Sequence, residues 1–226
     1  MFVYSDTAAK LLFVRSENEI KEYRINDSQG QKVVCPILSS VQQGNEWLAT
    51  FDAKNLQSWS VDSPVLYTLE ADGVCLRFGH MSIHRFQNKH ILLNDAPIYL
   101  RGYIRGIPAH DHPNMTGESD YEAAKKNILQ AKKYGFNLVR FHSTIPSEDF
   151  VRAADELGIL VHMEIGFAYD FDEQGNKKNL SMNNEMWTST ILKYRNHPSM
   201  AVFCIGNEMH NSGHYPQVRS MFEQGR

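Results

Sequence analysis

Gly135-Phe-Asn-Leu-Val-Arg-Phe-His142, then Ser147-Glu-Asp-Phe-Val-Arg-Ala-Ala-Asp-Glu-Leu157, then Gly158-Ile-Leu-Val-His-Met-Glu-Ile165 is the stretch on which the fold turns. The outer segments are short apolar runs of strand length. Between them Phe150, Val151, Ala154 and Leu157 recur at helical spacing, and Gly158 is placed to stop the helix. A strand, a helix and a second strand in this order require parallel pairing through a crossover helix.

The same rhythm extends in both directions. Upstream, Ile98–Tyr103 reads as a strand. Ser119-x-x-Glu122 then forms a capping box for a helix carrying Tyr121, Ala124, Ile128 and Ala131 on one face, with Gly135 past its end. Downstream, a third helix is expected from about Ser181 to Arg195, ended by Pro198, and a fourth strand over Met200–Ile205. Four such units suit half of a (β/α)8 barrel or a small doubly wound sheet, and periodicity does not separate the two. Gly-x-Gly-x-x-Gly and Walker patterns are absent, which weighs against nucleotide binding.

Residues 1–86 follow another rule. Lys10–Arg15, Glu19–Ile25, Lys32–Leu38, Glu46–Phe51, Leu66–Ala71, Val74–Phe78 and Met81–Phe86 read as short strands punctuated by turn residues. About seven strands without helical periodicity predict an immunoglobulin-like β-sandwich. The expected organisation is a sandwich over 1–86 and an α/β domain over 87–226.

The whole chain adds exclusions. Its 226 residues are 42% hydrophobic with a net charge of −3, an ordinary globular composition that offers no basic surface for nucleic acid. No apolar run approaches the ~20 residues of a membrane span, and Met1–Val14 lacks the pattern of a signal peptide. The chain is expected to be soluble; its compartment is left open, a periplasmic or secreted parent being one option. Cys35, Cys75 and Cys204 read as small buried hydrophobes rather than a disulfide framework, with a Cys35–Cys75 bridge open for an exported protein.

Functional groups of α/β folds gather at the carboxyl ends of the strands. Those ends carry Arg101 and Arg105, Arg140 and His142, His162 and Glu164, and Asn207 and Glu208. Glu208 follows an apolar strand and a Gly206-Asn207 turn, a position from which a partly shielded carboxyl could donate a proton near neutral pH. Asn207 offers a donor and an acceptor for a sugar hydroxyl. Arg140 and Glu164 could pair across neighbouring strands, and His142 reads as a pocket hydrogen-bonding residue. No cofactor and no metal is expected. The metal alternative would rest on His110-Asp111-His112, which resembles the His-x-His opening of barrel metallohydrolases but lacks further converging ligands. No Gly-x-Ser-x-Gly elbow is present.

Tyr194-Arg-Asn-His-Pro-Ser-Met-Ala-Val-Phe-Cys-Ile-Gly-Asn-Glu208 closely resembles the acid/base signature of glycoside hydrolase family 2, which includes β-galactosidases, β-glucuronidases and β-mannosidases. Trp59-Ser-Val-Asp-Ser-Pro-Val-Leu-Tyr67 looks like the family's linker into the last sandwich strands. Leu93-Asn-Asp-Ala-Pro-Ile-Tyr-Leu-Arg-Gly102 and Gly135–Arg140 look like its first two barrel strands. The resemblance implies an immunoglobulin-like sandwich followed by the first four strands of a TIM barrel. It implies a retaining hydrolase of β-linked carbohydrates with Glu208 as acid/base. Asn207 would bind the sugar 2-hydroxyl, and Arg140, His142 and Glu164 would line the pocket. The family's nucleophile lies on the seventh barrel strand, beyond Arg226, so the chain alone is expected to be inactive, and its open half-barrel edges to favour pairing with another copy. A jelly-roll domain is expected to be missing at the other end. The segment Arg101-Gly-Tyr-Ile-Arg-Gly-Ile-Pro-Ala-His-Asp-His112 departs from the Arg-Gly-x-Asn-Arg-His-Glu-His run of many β-galactosidases, which leaves the sugar unassigned. A non-catalytic carbohydrate-binding fragment is the main alternative, and a metal-dependent barrel hydrolase the second.

Overall fold

The computed structural model describes residues 1–87, 89–105, 120–166, 180–207 and 216–224. Contacts divide the chain into two units. One comprises Met1–Leu100 with Asp155–Gly158 and Asn196–Pro198; the other comprises Arg101–Ala154, Ile159–Arg195 and Ser199–Arg226.

In the first unit, β1 (Phe2–Asp6), β2 (Leu11–Ser16), β4 (Ile37–Gln43) and β5 (Glu46–Asp52) form an antiparallel sheet in the order β1-β2-β5-β4. A second sheet orders β3 (Tyr23–Asp27), β6 (Tyr67–Ala71) and β7 (Val74–Phe78) as β3-β6-β7. Alternation along the strands builds the core: Leu12, Val14 and Ser16 of β2 are buried while their neighbours are half-buried. Ile25, Phe51, Leu69 and Phe78 join Leu12 and Val14 in one apolar cluster. This is the immunoglobulin-like sandwich.

Two strands move from their expected places. Lys32–Leu38 was to be a strand, yet β4 begins only at Ile37. Pro36 has no N–H to give a ladder, and its carbonyl instead accepts from Asp52 N at 2.9 Å. Ile98 belongs not to the first barrel strand but to a small sheet, β10-β9-β8, formed by β8 (Ile83–Phe86), β9 (His90–Leu93) and β10 (Ala96–Ile98). Leu93 pairs with Ala96, leaving Asn94 and Asp95 as a two-residue loop with φ of 51° and 65°, a type I′ hairpin turn. The Asn-Asp pair inside the family-like stretch is therefore a turn. The cysteines also differ from expectation: Cys35 is buried but Cys75 is exposed, and both are free thiols, so no bridge joins them.

Part of the signature before β14 (Met200–Cys204) works inside this first unit. Asn196 accepts from Val3 N through Oδ1 at 2.9 Å and donates to the Met1 carbonyl. His197 Nδ1 lies 2.6 Å from the buried Asp155 carboxylate, and Trp59, fully buried, donates its indole N–H to the Asp155 carbonyl at 2.8 Å.

The second unit holds a parallel sheet, β11-β12-β13-β14, made of β11 (Gly102–Arg105), β12 (Leu138–Phe141), β13 (Leu160–Glu164) and β14. Crossovers carry α1 (Asp120–Lys133), α2 (Glu148–Leu157) and α3 (Leu180–Tyr194). Ala124, Ile128 and Ala131 form the buried stripe of α1. Its end is a Schellman closure: Phe136 N bonds the Ala131 carbonyl and Gly135 N the Lys132 carbonyl, with Gly135 at φ 83°. Ser147 caps α2, its Oγ accepting from Phe150 N at 3.2 Å. The capping residue Ser119 lies outside the described residues. A helix not anticipated, α4 (Pro216–Gln224), opens on proline and accepts the Trp187 indole N–H at the Met221 carbonyl. Four parallel strands joined through helices make the start of a (β/α)8 barrel. None of the helices searched among the described residues is long and apolar enough to cross a membrane.

Candidate active site

The site follows from the two-residue period of β12 and β13. In β13, Val161 and Met163 share one face while His162 and Glu164 share the other. Parallel register sets Arg140 beside His162 and Glu164 beside Cys204. Three neighbouring strands thus bring a guanidinium, an imidazole, a carboxylate and a thiol together at their carboxyl ends.

Glu164 is the centre. Its residue is fully buried, so its charge needs compensation from every side. Arg140 donates to Oε2 through Nε at 3.1 Å and through a terminal nitrogen at 2.8 Å. That nitrogen also donates to Asn207 Oδ1 at 2.7 Å. The Ser143 backbone N–H donates to Oε1 at 2.7 Å, and the Ser143 hydroxyl lies 3.3 Å from the same oxygen. Ser143 reaches this position with φ of 53°, a left-handed conformation that costs a non-glycine residue about 1–2 kcal/mol. The network holds Asn207, itself buried, with its carbonyl oxygen on Arg140.

Among the described residues two buried ring nitrogens in this region have no hydrogen-bond partner: His142 Nδ1 and His162 Nε2. Burial, and secondarily the Arg140 charge, holds the His162 pKa below its ordinary value, while Glu164 opposes the shift. His162 is thereby kept toward its neutral form. Burial pushes the Cys204 thiol up from its ordinary range, and its Sγ donates to the Gly206 carbonyl at 3.3 Å.

Of the residues singled out in the sequence, Arg140, Glu164 and Asn207 are joined in one network. His142 sits beside them in sequence, its backbone N–H bonded to the Arg105 carbonyl rather than its ring to the network. Glu208 lies outside the described residues, as do His110, Asp111 and His112. Arg101 and Arg105 are engaged elsewhere. Arg101 donates to the Gly135 carbonyl behind the α1 C-terminus at 2.7 Å, and the Arg105 guanidinium lies over the Phe150 ring at 5.0 Å. Sequence reasoning missed Ser143 and Cys204. Ser143 carries no sequence signal beyond following a strand end, because its contribution is a backbone N–H.

The buried carboxylate–guanidinium–amide network lies at the carboxyl ends of this parallel sheet, the end at which barrel enzymes place their active sites. Residues 84–224 match the family described as glycosyl hydrolases family 2, TIM barrel domain, and the chain belongs to that family. A β-galactosidase of Thermoanaerobacterium thermosulfurigenes is 25% identical over 225 residues, 90% of this chain and 30% of that protein. Among solved structures, a β-glucuronidase from Ruminococcus gnavus superposes with a TM-score of 0.76 at 20% identity, covering 99% of this chain and 40% of that one. A β-glucuronidase from Parabacteroides merdae gives 0.74 at 21% identity, covering 99% and 31%. The chain therefore spans well under half the length of these proteins, and it holds part of a family 2 hydrolase domain.

Proposed function

We propose that this chain is part of an enzyme that hydrolyses β-linked glycosides with retention of configuration, with Glu208 as its acid/base. The observation that carries the proposal is the Arg140–Glu164–Asn207 network, because it anchors the residue that immediately precedes Glu208. Asn207 then presents its amide nitrogen to the sugar 2-hydroxyl. The Glu208 carboxyl protonates the glycosidic oxygen as the bond to the anomeric carbon breaks. A second carboxylate, about 5–5.5 Å away in retaining enzymes, attacks that carbon, and Glu208 as carboxylate later takes a proton from the water that releases the sugar. His142 contributes a ring nitrogen to the same pocket.

The nucleophile comes from sequence outside these 226 residues, so the chain by itself turns over no glycoside. The proposed boundary between sandwich and catalytic domain is 86/87, whereas contacts group residues up to Leu100 with the first unit. The test is the anomer first released by an enzyme containing this segment and a complete barrel, followed by proton NMR on an aryl β-glycoside. The β-anomer appearing first supports the reading. The α-anomer appearing first overturns it.

A further inference from the structure

His162, Glu164 and Cys204 each present one ligand atom, and the imidazole nitrogen, carboxylate oxygen and thiol sulfur all lie within 4.8 Å of one another. We infer that these residues form a binding site for a thiophilic divalent cation, Zn²⁺ by preference, on the inward face of the parallel sheet. The inference goes beyond the glycosidase reading, which uses neither His162 nor Cys204.

The scaffold makes the arrangement more than a chance cluster. Glu164 and Cys204 are register partners on adjacent strands, and His162 shares the face of Glu164 one pleat away. The backbone that spaces the donors is therefore ladder-bonded sheet. Zinc sits about 2.3 Å from sulfur and about 2.0–2.1 Å from nitrogen, so the three donors need to draw in to roughly 3.5 Å of one another. That closure requires side-chain rotation, including release by Glu164 of part of its hold on Arg140 or Ser143. Among the described residues His162 Nε2 is a buried polar atom with no partner, so the ring has a nitrogen not committed to a hydrogen bond.

Donor type selects the ion. Thiolate and imidazole favour zinc and its soft neighbours, whereas magnesium and calcium require oxygen ligands. On binding, the Cys204 thiol gives one proton to solvent and its sulfur loses the bond to the Gly206 carbonyl. With three protein ligands the fourth position remains open to water. The ion competes with Arg140 for Glu164, so affinity falls short of that of a closed structural zinc site.

The test uses the 226-residue chain with the exposed Cys75 changed to Ser, titrated with Zn²⁺ alone by calorimetry and with Co²⁺ by absorption. One equivalent is expected, with a near-ultraviolet thiolate-to-cobalt charge-transfer band. Cys204→Ser and Cys204→Ala should each abolish the band and weaken Zn²⁺ binding at least about tenfold, and His162→Gln should weaken it similarly. Circular dichroism of each variant identifies any that has unfolded, and only folded variants are compared. If all unfold, Zn²⁺ protection of Cys204 from alkylation in the Cys75→Ser chain decides the matter. No charge-transfer band, a band that survives Cys204 replacement, or no protection of Cys204 would overturn the inference. No sugar or turnover enters these measurements, so they succeed or fail separately from the glycosidase reading.

Discussion

The sandwich sheets and the parallel sheet bury different things. In the antiparallel unit Leu12, Ile25, Phe51 and Leu69 are withdrawn from water, and no charged residue of their strands is buried with them. In the parallel sheet one face of β13 is apolar through Val161 and Met163, while the other hides a carboxylate as completely as Phe51 is hidden. The first arrangement gains free energy from every side chain it covers. The second must spend four hydrogen bonds, one of them from a strained serine backbone, to keep a single carboxylate. What the arrangement holds besides its own charge is Asn207, which Arg140 bonds at 2.7 Å.

The contrast can be broken by mutation. Phe51→Ala removes a ring from a closed apolar cluster and should cost about 3–5 kcal/mol, read as a lower urea midpoint for the antiparallel unit. No second substitution nearby should restore it except one that refills the volume. Arg140→Met should cost about 3 kcal/mol, because it leaves the buried Glu164 charge with only Ser143 as a donor. Here a second change should help: Arg140→Met with Glu164→Leu should recover most of the lost stability. It should still abolish turnover in an enzyme with a complete barrel, since Asn207 is no longer held. A double variant as unstable as the single one would mean that the network stabilises the fold in its own right.

A smaller effect sharpens the same comparison through pH. His80 in the first unit and His162 in the second are both held below the ordinary histidine value of 6.5, His80 mainly by burial and His162 by burial and then by Arg140. In each case the unfolded chain takes up protons more readily than the folded one. The corresponding stability is fully present above about pH 6.5 and is lost as pH falls through that value toward the folded pKa. Unfolding midpoints measured between pH 7.5 and about 5 should decline, and His80→Gln and His162→Gln should each flatten the decline. An unchanged slope in both variants would assign the acid sensitivity to other groups.

The strand–helix–strand rhythm from Gly135 to Ile165 was legible because each element carries its own punctuation: Gly135 and Gly158 close helices, and Ser147 opens one. The Arg140–Glu164 pair was legible because strand-end positions on adjacent parallel strands share a rim. The β9–β10 hairpin was not, because Asn94-Asp95 sits inside a stretch whose apolar run reads as one strand. Ser143 was hidden for a different reason, since a backbone donor has no residue type to recognise. The Tyr194–Glu208 signature looked like one catalytic motif but divides physically. Asn196 and His197 serve the first unit through Val3 and Asp155, whereas Asn207 serves the network on Arg140.

The central claim is that Glu208 supplies the proton. It is tested most directly by comparing Glu208→Gln with the unchanged enzyme, each with a complete barrel, on aryl β-glycosides with good and poor leaving groups. The account predicts a loss of about 100-fold or more in turnover of poor leaving groups and a much smaller loss for activated ones, which depart with little acid assistance. Equal losses on both classes would contradict it.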